Sequence, residues 1–312
     1  TIGANLDATI ARYGDREALV SCAQGLRFTY TELGAAVDRL ARGLIAAGLT
    51  AEERLGIWSP NRAEWTLVQY ATAKLGVILV NLNPAYRTSE LQYALAQSGC
   101  RMLIAAPAFK TSDYRAMVAE VRGRLPALES VIFLESAEWE ALLASAGPVA
   151  PDELERRGAA LAPEDPINIQ YTSGTTGFPK GATLTHRNIL NNGYLVGEGC
   201  RYTEIDRVCI PVPFYHCFGM VMGNLACTSH GAAMVIPAPA FDPEATLPTR
   251  FSSGSSCAVW VDTGDVSVIP YAIATSLMCM RSMTRFITST GHGEPAMMPV
   301  RSELRSNSAK RG

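Results

Sequence analysis

The sequence lacks the closely spaced cysteines and histidines that metal sites use. Its eight cysteines form no Cys-x-x-Cys pair, and its four histidines form no His-x-x-x-His pair. A structural zinc site needs four ligands, which closely spaced pairs supply. We therefore expect no structural zinc, and we expect free thiols in a protein of a reducing compartment.

Long apolar runs and an excess of one charge are also absent. Lys and Arg total 27 against 29 Asp and Glu, giving a net charge of −2, so the composition shows no nucleic-acid footprint. The longest apolar runs, 75–82 and 102–108, fall far short of the roughly 20 residues of a transmembrane helix.

The start of the chain carries no targeting pattern. The first residues, 1–6, lack a basic segment followed by an apolar one, and the first residue is Thr1 rather than Met. We expect the sequence to begin inside a longer reading frame. A cytoplasmic location is the default prediction, and an organellar address ahead of Thr1 is compatible with it.

What the sequence does have, up to about residue 247, is an alternation of helix and strand patterns. Thr29-x-x-Glu32 is a capping box that predicts a helix ending at Gly48. Further helices are predicted at 61–76, 89–99, 111–122, 186–196, near 220–229 and from Asp242, and strands at 54–58, 77–80, 101–105, 130–134, 168–171, 207–212 and 232–236. Because crossover helices follow the strands, parallel pairing is implied. The predicted fold class is α/β with layered, largely parallel sheets.

Two segments differ from this alternation. Residues 145–163 contain Gly147-Pro148 and Pro151 and are typical of a surface connection. Residues 249–312 hold 11 serines and five of the ten methionines and show no sustained periodicity. We expect 1–247 to be one unit and 248–312 to be a divergent tail that does not form a complete domain.

A loop rich in glycine and hydroxyl groups follows the strand at 168–171. It contains four hydroxyl residues, three glycines and one lysine, in the order Thr172-Ser173-Gly174-Thr175-Thr176-Gly177-Phe178-Pro179-Lys180-Gly181. Backbone N–H groups, hydroxyls and a cation are what a triphosphate requires. A Walker-type loop is excluded, because Lys180 stands between Pro179 and Gly181. The alternative interpretation is a solvent-exposed turn.

Residues 169–180 resemble the AMP-binding signature of the adenylate-forming enzymes, a family of acyl-CoA synthetases, luciferases and peptide-synthetase adenylation domains. Three other segments, 73–84, 184–188 and 213–219, resemble acyl-CoA synthetases of medium and long chain specificity. The resemblance runs from near residue 1 to about 247 and implies the front part of an AMP-binding large domain.

The resemblance implies a chemistry and a set of site residues. ATP and a carboxylic acid would form an acyl-adenylate, and coenzyme A would then displace AMP. Phosphate binding would fall to Thr172, Ser173, Gly174, Thr175, Thr176, Gly177 and Lys180. Thr172 would also contact Mg²⁺. The catalytic residues would be His216, which would orient the substrate carboxylate, and Lys180, which would hold the phosphates. His186 and His230 are interpreted as structural.

The resemblance fails in the tail. No Tyr-Gly-x-Thr-Glu segment is present, and the family's late catalytic lysine cannot be identified. Trp260-x-x-Thr263-Gly264-Asp265 matches a later family segment whose aspartate binds ribose, but it comes far too early. We hypothesise an internal deletion followed by a shifted reading frame, and assign Asp265 to the nucleotide on this match alone.

The predicted function is therefore an ATP-dependent carboxylic acid (fatty acid)–CoA ligase. The alternatives are a truncated, non-catalytic remnant that at most binds nucleotide weakly, and an adenylating enzyme that uses another acceptor or oxidises its adenylate. The expected partners are a small-molecule acid, ATP and CoA, without nucleic acid. The sequence leaves the acid and the oligomeric state open.

Overall fold

The computed structural model describes residues 1–172 and 179–246. The helices in these residues are α1 (Ile2–Tyr13), α2 (Tyr30–Ala46), α3 (Ala63–Leu75), α4 (Thr88–Ser98), α5 (Tyr114–Arg122), α6 (Ala137–Ala144), α7 (Pro151–Ala159), α8 (His186–Cys200), a π-helix (Phe218–Leu225) and α9 (Ala226–His230). The strands are β1 (Glu17–Ser21), β2 (Leu26–Thr29), β3 (Arg54–Trp58), β4 (Ile78–Asn81), β5 (Met102–Ala105), β6 (Ala108–Phe109), β7 (Ser112–Asp113), β8 (Ser130–Phe133), β9 (Pro166–Thr172), β10 (Lys180–Thr185), β11 (Arg207–Cys209) and β12 (Ala233–Ile236).

The larger sheet has six strands in the order β10-β9-β4-β3-β5-β8. Five of them, from β9 to β8, are parallel to their neighbours, and only β10 is antiparallel, pairing with β9 at the edge. The predicted α/β fold with a largely parallel sheet is confirmed. Helical crossovers explain the parallel order, because two parallel strands cannot be joined by a tight turn.

A second sheet joins the beginning of the chain to the end of the described part. Its order is β11-β12-β1-β2, with Leu19 of β1 paired in parallel with Met234 of β12. β2 is antiparallel to β1 in a hairpin. The sequence analysis did not predict α1, β1 or β2.

Helices cover both faces of the six-stranded sheet. On one face, α1, α2 and α3 pack in a cluster that includes Leu55, Ile57 and Leu79. On the other face, α4 and α5 pack in a cluster that includes Val80 and Leu103. The central strands are therefore buried on both sides, which is why they occur as nearly continuous apolar runs.

Some predicted helix termini agree with the structure and others do not. Thr29 forms the predicted capping box with Glu32, and Gly76 and Gly99 end α3 and α4 in the left-handed conformation. The predicted start at Asn61 is wrong, because the cap of α3 is Arg62 and the Asn61 side chain binds elsewhere, as described below.

The start of α4 and the segment 145–163 also differ from the prediction. α4 is capped by Arg87 rather than Ser89, since the Glu90 carboxylate accepts the Arg87 N–H over 2.9 Å. The segment 145–163 contains α7, so it is not simply a surface connection. Pro151 occupies the first turn of α7, where a missing N–H costs nothing.

Other differences concern the second half of the described residues. β10 and α6 were not predicted, and the helix expected near 220–229 is divided between the π-helix and α9. Asp242 does cap a helical turn, because its carboxylate accepts the N–H of Glu244 over 2.9 Å. The divergent tail 248–312 lies outside the described residues.

The described cysteines are all free thiols, as expected for these six: Cys22, Cys100, Cys200, Cys209, Cys217 and Cys227. No helix in 1–172 and 179–246 is both long and apolar enough to cross a bilayer.

Candidate active site

The glycine-rich loop connects β9 to β10 as the tip of a hairpin. Thr172, the last residue of β9, lies opposite Lys180, the first residue of β10, and its hydroxyl donates to the Lys180 carbonyl over 3.4 Å. Both residues are exposed. The predicted phosphate ligands Ser173, Gly174, Thr175, Thr176 and Gly177 lie outside the described residues.

The hairpin stands at the carboxyl edge of the parallel strands. β9 pairs in parallel with β4, which pairs in parallel with β3, so the chain leaves all three strands on the edge where the loop begins. In open α/β sheets, ligands bind at this edge. The fold therefore places Thr172 and Lys180 where a ligand site is expected.

The end of the hairpin that carries the glycine-rich loop is held by α4. The Tyr93 hydroxyl donates to the Pro179 carbonyl over 3.1 Å, and the Tyr171 hydroxyl donates to the Ala94 carbonyl over 2.8 Å. Burial raises the pKa of Tyr171 to about 12, so its phenol keeps the proton that it donates. These bonds fix the point at which the loop returns to the sheet.

A second segment, Pro213 to Gly219, runs from the loop after β11 into the start of the π-helix, carries His216 and is attached to α3. The buried Asn61 side chain accepts the Phe214 N–H over 2.8 Å and donates to the Val212 carbonyl over 2.8 Å. The Phe214 ring packs against Trp65 at 5.6 Å between ring centroids. We call residues 213–219 the His216 loop.

Buried amides on the sheet also hold the His216 loop. Gln170 of β9 donates to the Tyr215 carbonyl over 2.8 Å, and Asn81 of β4 donates to the same carbonyl over 3.2 Å. Gln170 precedes Thr172 by two residues on one strand. The His216 loop is thus docked on the sheet immediately before the start of the glycine-rich loop.

The environment of His216 sets its protonation. Its Nδ1 accepts the N–H of Phe218 over 3.1 Å, so the proton of the neutral ring resides on Nε2. Desolvation lowers the pKa of His216 below its usual value of 6.5. Near neutral pH the side chain is an uncharged imidazole with an Nε2–H donor.

The other histidines of the described part have structural environments. His186 is fully buried, and its Nδ1 accepts the Ile2 N–H over 3.1 Å at the start of α1. His230 stacks on Tyr194 at 5.0 Å and lies 3.2 Å from a Glu198 carboxylate oxygen. Asp265 and His292 lie outside the described residues.

Comparison with known proteins gives the family. The model for AMP-binding enzymes matches residues 6–253, which is most of the chain. The chain belongs to the AMP-binding enzyme family. The resemblance to the adenylate-forming enzymes is thereby confirmed over residues 6–253.

The relatives of this AMP-binding enzyme include acyl-CoA ligases. It is 40% identical over 267 residues to a mitochondrial medium-chain acyl-CoA ligase of Danio rerio, covering 79% of this chain and 44% of the relative. It is 40% identical over 268 residues to a putative acyl-CoA synthetase of Bacillus subtilis (strain 168), covering 80% and 49%. The chain spans slightly less than half the length of these two relatives.

A solved structure supports the fold independently. The long-chain-fatty-acid-CoA ligase of Archaeoglobus fulgidus superposes with a TM-score of 0.69 at 23% identity, covering 80% of this chain and 49% of that protein. At that identity the likeness shows that the fold is shared.

The sequence analysis missed the side chains that hold the His216 loop, namely Asn61, Asn81 and Gln170. Asn81 and Gln170 lie at or next to predicted buried strands, and both are at most 5% exposed. A signal was present, because an amide in a strand buried on both faces must find hydrogen-bond partners. The sequence did not show where those partners were.

Proposed function

We propose that this AMP-binding enzyme carries the carboxylate-activating site of an ATP-dependent carboxylic acid–CoA ligase. The observation that supports the proposal most strongly is the joint placement of two elements at the carboxyl edge of one sheet. One is the hairpin of β9 and β10, in which Thr172 and Lys180 stand where the loop begins and ends. The other is the His216 loop, which is bound to Gln170 of β9.

The reaction in this proposal has two steps. A carboxylate oxygen attacks the α-phosphorus of ATP, pyrophosphate leaves, and an acyl-adenylate forms. The thiol of coenzyme A then attacks the acyl carbon, and AMP leaves with the oxygen that joined it to the acyl group. Neither step needs a protein nucleophile, so the protein contributes positions and charges.

Lys180 and the glycine-rich loop would bind the nucleotide. The Lys180 ammonium, at the start of β10, would contact the β- and γ-phosphates together with the N–H and hydroxyl groups of 173–177. Thr172 would complete the set from the end of β9. Held there, the pyrophosphate leaving group has its developing charge balanced by a cation.

His216 would orient the acid. As a neutral imidazole with its proton on Nε2, it can donate one hydrogen bond to a carboxylate oxygen without forming a full ion pair. A neutral donor suits this task, because the carboxylate must remain nucleophilic. We assign His216 to substrate positioning on these grounds.

Mg²⁺ enters the proposal as a companion of the nucleotide. No group of three or more His, Cys, Asp or Glu side chains able to hold a metal occurs in 1–172 and 179–246. Thr172 offers one hydroxyl oxygen that still has lone pairs to share, since it acts as a donor to the Lys180 carbonyl. In a nucleotide site, phosphates and water commonly supply most of the ligands of Mg²⁺, so a single hydroxyl from the protein fits that pattern.

The proposed substrate class and location are supported by the relatives and the thiols. The name of the Danio rerio relative favours an acyl group of medium chain length, and both relatives' names favour coenzyme A as acceptor. Free thiols favour a reducing compartment, for which the cytoplasm is our default proposal. The boundary between the domain and a divergent tail near 247 also stays a prediction.

Acid-dependent exchange of labelled pyrophosphate into ATP tests the proposal, because it reports the first step alone. Purified 1–312 would be assayed with Mg²⁺ and fatty acids of several lengths, beside Lys180→Met and the matched control Lys110→Met, both at exposed lysines. We expect exchange that requires the acid, is lost in Lys180→Met and is kept in Lys110→Met.

Absence of exchange in folded protein would contradict the proposal. If such protein still bound ATP, it would fit the alternative function, a non-catalytic remnant that binds nucleotide weakly. Exchange unaffected by Lys180→Met would instead remove Lys180 from the phosphate site.

A further inference from the structure

Three buried amides form a continuous chain of hydrogen bonds across β4 and β9. The Asn168 side chain donates to the side-chain oxygen of Asn81 over 3.0 Å, and the Asn81 side chain donates to the side-chain oxygen of Gln170 over 3.2 Å. Gln170 donates in turn to the main-chain carbonyl of Tyr215 over 2.8 Å. All donors point in one direction along this chain, which allows each bond to strengthen the next.

This chain of hydrogen bonds reaches the His216 loop at two residues, Tyr215 and Cys217. The Cys217 thiol donates to the side-chain oxygen of Gln170 over 3.6 Å. The Asn81 side chain is a second donor to the main-chain carbonyl of Tyr215. Gln170 therefore contacts the residues on both sides of His216. Burial raises the pKa of Cys217 to about 11, so the thiol keeps the proton for this bond.

Strand geometry places this contact on the same side of the sheet as Thr172. Side chains two residues apart on a strand point to the same face, so Gln170 and Thr172 share a face. Tyr171, between them, points to the opposite face, where its hydroxyl bonds to α4. The His216 loop is thus fastened to the face of β9 that also carries the Thr172 side chain.

From this geometry we infer that Gln170 is a positioning residue for His216. Its amide fixes the backbone on both sides of His216 relative to β9, and so sets the separation between the imidazole and the nucleotide loop that the same strand carries. The backbone at 215–217 then keeps the Phe218 N–H directed at Nδ1 and the proton on Nε2. The effect of Gln170 on the reaction rests on the proposed function. The claim that Gln170 fixes the position of His216 does not.

The first test reads the His216 tautomer by nitrogen NMR of protein with labelled histidine, assigned through His216→Ala. In the wild type we expect the Nε2–H tautomer. In Gln170→Met, which keeps the side-chain volume but removes the amide's bonds to Tyr215 and Cys217, we expect a mixture of tautomers and a His216 pKa that rises toward about 6.5.

A matched control separates positioning from general destabilisation. Gln24→Leu removes a partly buried amide that accepts from Ser21 and Ala63 and donates to Glu64, at the start of α3. It should lower stability while leaving the His216 signals unchanged. If Gln170→Met does not fold, Cys217→Ala removes one contact at Gln170 and should shift the same signals by a smaller amount.

The second test uses exchange kinetics. Gln170→Met should lower kcat for pyrophosphate exchange by about tenfold to a hundredfold, as expected for a misplaced reacting group, with the KM for ATP nearly unchanged. Gln24→Leu should keep the wild-type kcat. A fall in ATP affinity instead of kcat would mean that Gln170 supports the nucleotide loop and would overturn the inference.

The two tests fail in different ways. If wild-type protein shows no exchange, the proposed function fails, but the His216 signals still decide whether Gln170 positions the imidazole. If Gln170→Met leaves the tautomer and pKa of His216 as they are in the wild type, or if Gln24→Leu changes them equally, the inference is wrong whatever the exchange rate.

Discussion

Lys180 lies directly opposite Thr172 in the antiparallel ladder of β9 and β10. The chain between them therefore leaves and returns at a single point of the sheet edge, and the lysine stands at the loop's base. This arrangement gives the cation a fixed backbone position while its long side chain can reach a phosphate. Lysine acts in such a site as a point charge rather than as a shaped, two-pronged donor.

Removing this charge should weaken binding of ATP more than binding of AMP. Hydrogen bonds to charged groups contribute about 1.5–3 kcal/mol, which corresponds to a loss in ATP affinity of about tenfold to somewhat more than a hundredfold for Lys180→Met. AMP lacks the phosphates that the lysine would contact, so its affinity should stay nearly constant. Titration calorimetry with both nucleotides measures the difference, and equal losses for ATP and AMP would contradict the assignment.

Gly219 should be needed because its backbone passes too close to Pro213 for a side chain. A Cβ at residue 219 would lie 2.4 Å from the Pro213 carbonyl oxygen and 2.7 Å from its carbon. Backbone atoms cannot move aside without shifting the His216 loop. Gly219→Ala should cost about 1–3 kcal/mol of stability and lower acid-dependent exchange about tenfold or more.

The control for this prediction is Gly199→Ala in α8. A Cβ there meets nothing within 4 Å, and Ala is favoured over Gly in a helix by up to about 1 kcal/mol. This variant should keep the wild-type exchange rate and unfold at the same or higher denaturant concentration. Wild-type exchange in Gly219→Ala would show that the His216 loop tolerates displacement.

His186 should make the fold sensitive to acid. Burial lowers the pKa of His186 from 6.5 to about 4. Between pH 6.5 and pH 4, His186 is therefore protonated in the unfolded chain but neutral in the folded chain. The free energy of unfolding is unaffected by this group above pH 6.5 and decreases as the pH falls toward 4. A shift of this size corresponds to about 3 kcal/mol.

Denaturant titrations across that pH range check the prediction. His186→Asn keeps an oxygen acceptor near the Ile2 N–H but cannot be protonated, so its stability should depend much less on pH than that of the wild type. An unchanged slope in His186→Asn would assign the acid sensitivity to other groups.

Local signals predicted much of the fold. Thr29 with Glu32, Gly76 and Gly99 mark helix ends through bonds to nearby backbone, so a sequence window contains all of the information. Apolar runs such as 78–81 predicted the buried strands for the same reason. The glycine-rich loop and the strand before it could likewise be recognised from adjacent residues.

Long-range pairing accounts for what the sequence did not predict. Asn61 has the pattern of a helix cap, but its side chain bonds to Phe214, which is distant in the chain, and Arg62 takes the cap position instead. β10 lies at the edge of the sheet with Lys180 and Gly181 exposed, so it has no apolar run to announce it. The role of Gln170 depends on Tyr215, which no local pattern connects to it.

The most direct measurement of the central claim follows oxygen atoms from the acid to AMP. Purified 1–312 would be given ATP, Mg²⁺ and a fatty acid in which both carboxylate oxygens are a heavy isotope, with hydroxylamine as the acceptor, and the released AMP would be analysed by mass spectrometry. Attack of the carboxylate on the α-phosphorus transfers one of its oxygens to AMP when hydroxylamine takes the acyl group. We predict one heavy oxygen in each AMP released, and none of this product from Lys180→Met. Released AMP without the heavy isotope, or none above the level of the Lys180→Met variant from folded protein, would contradict the account.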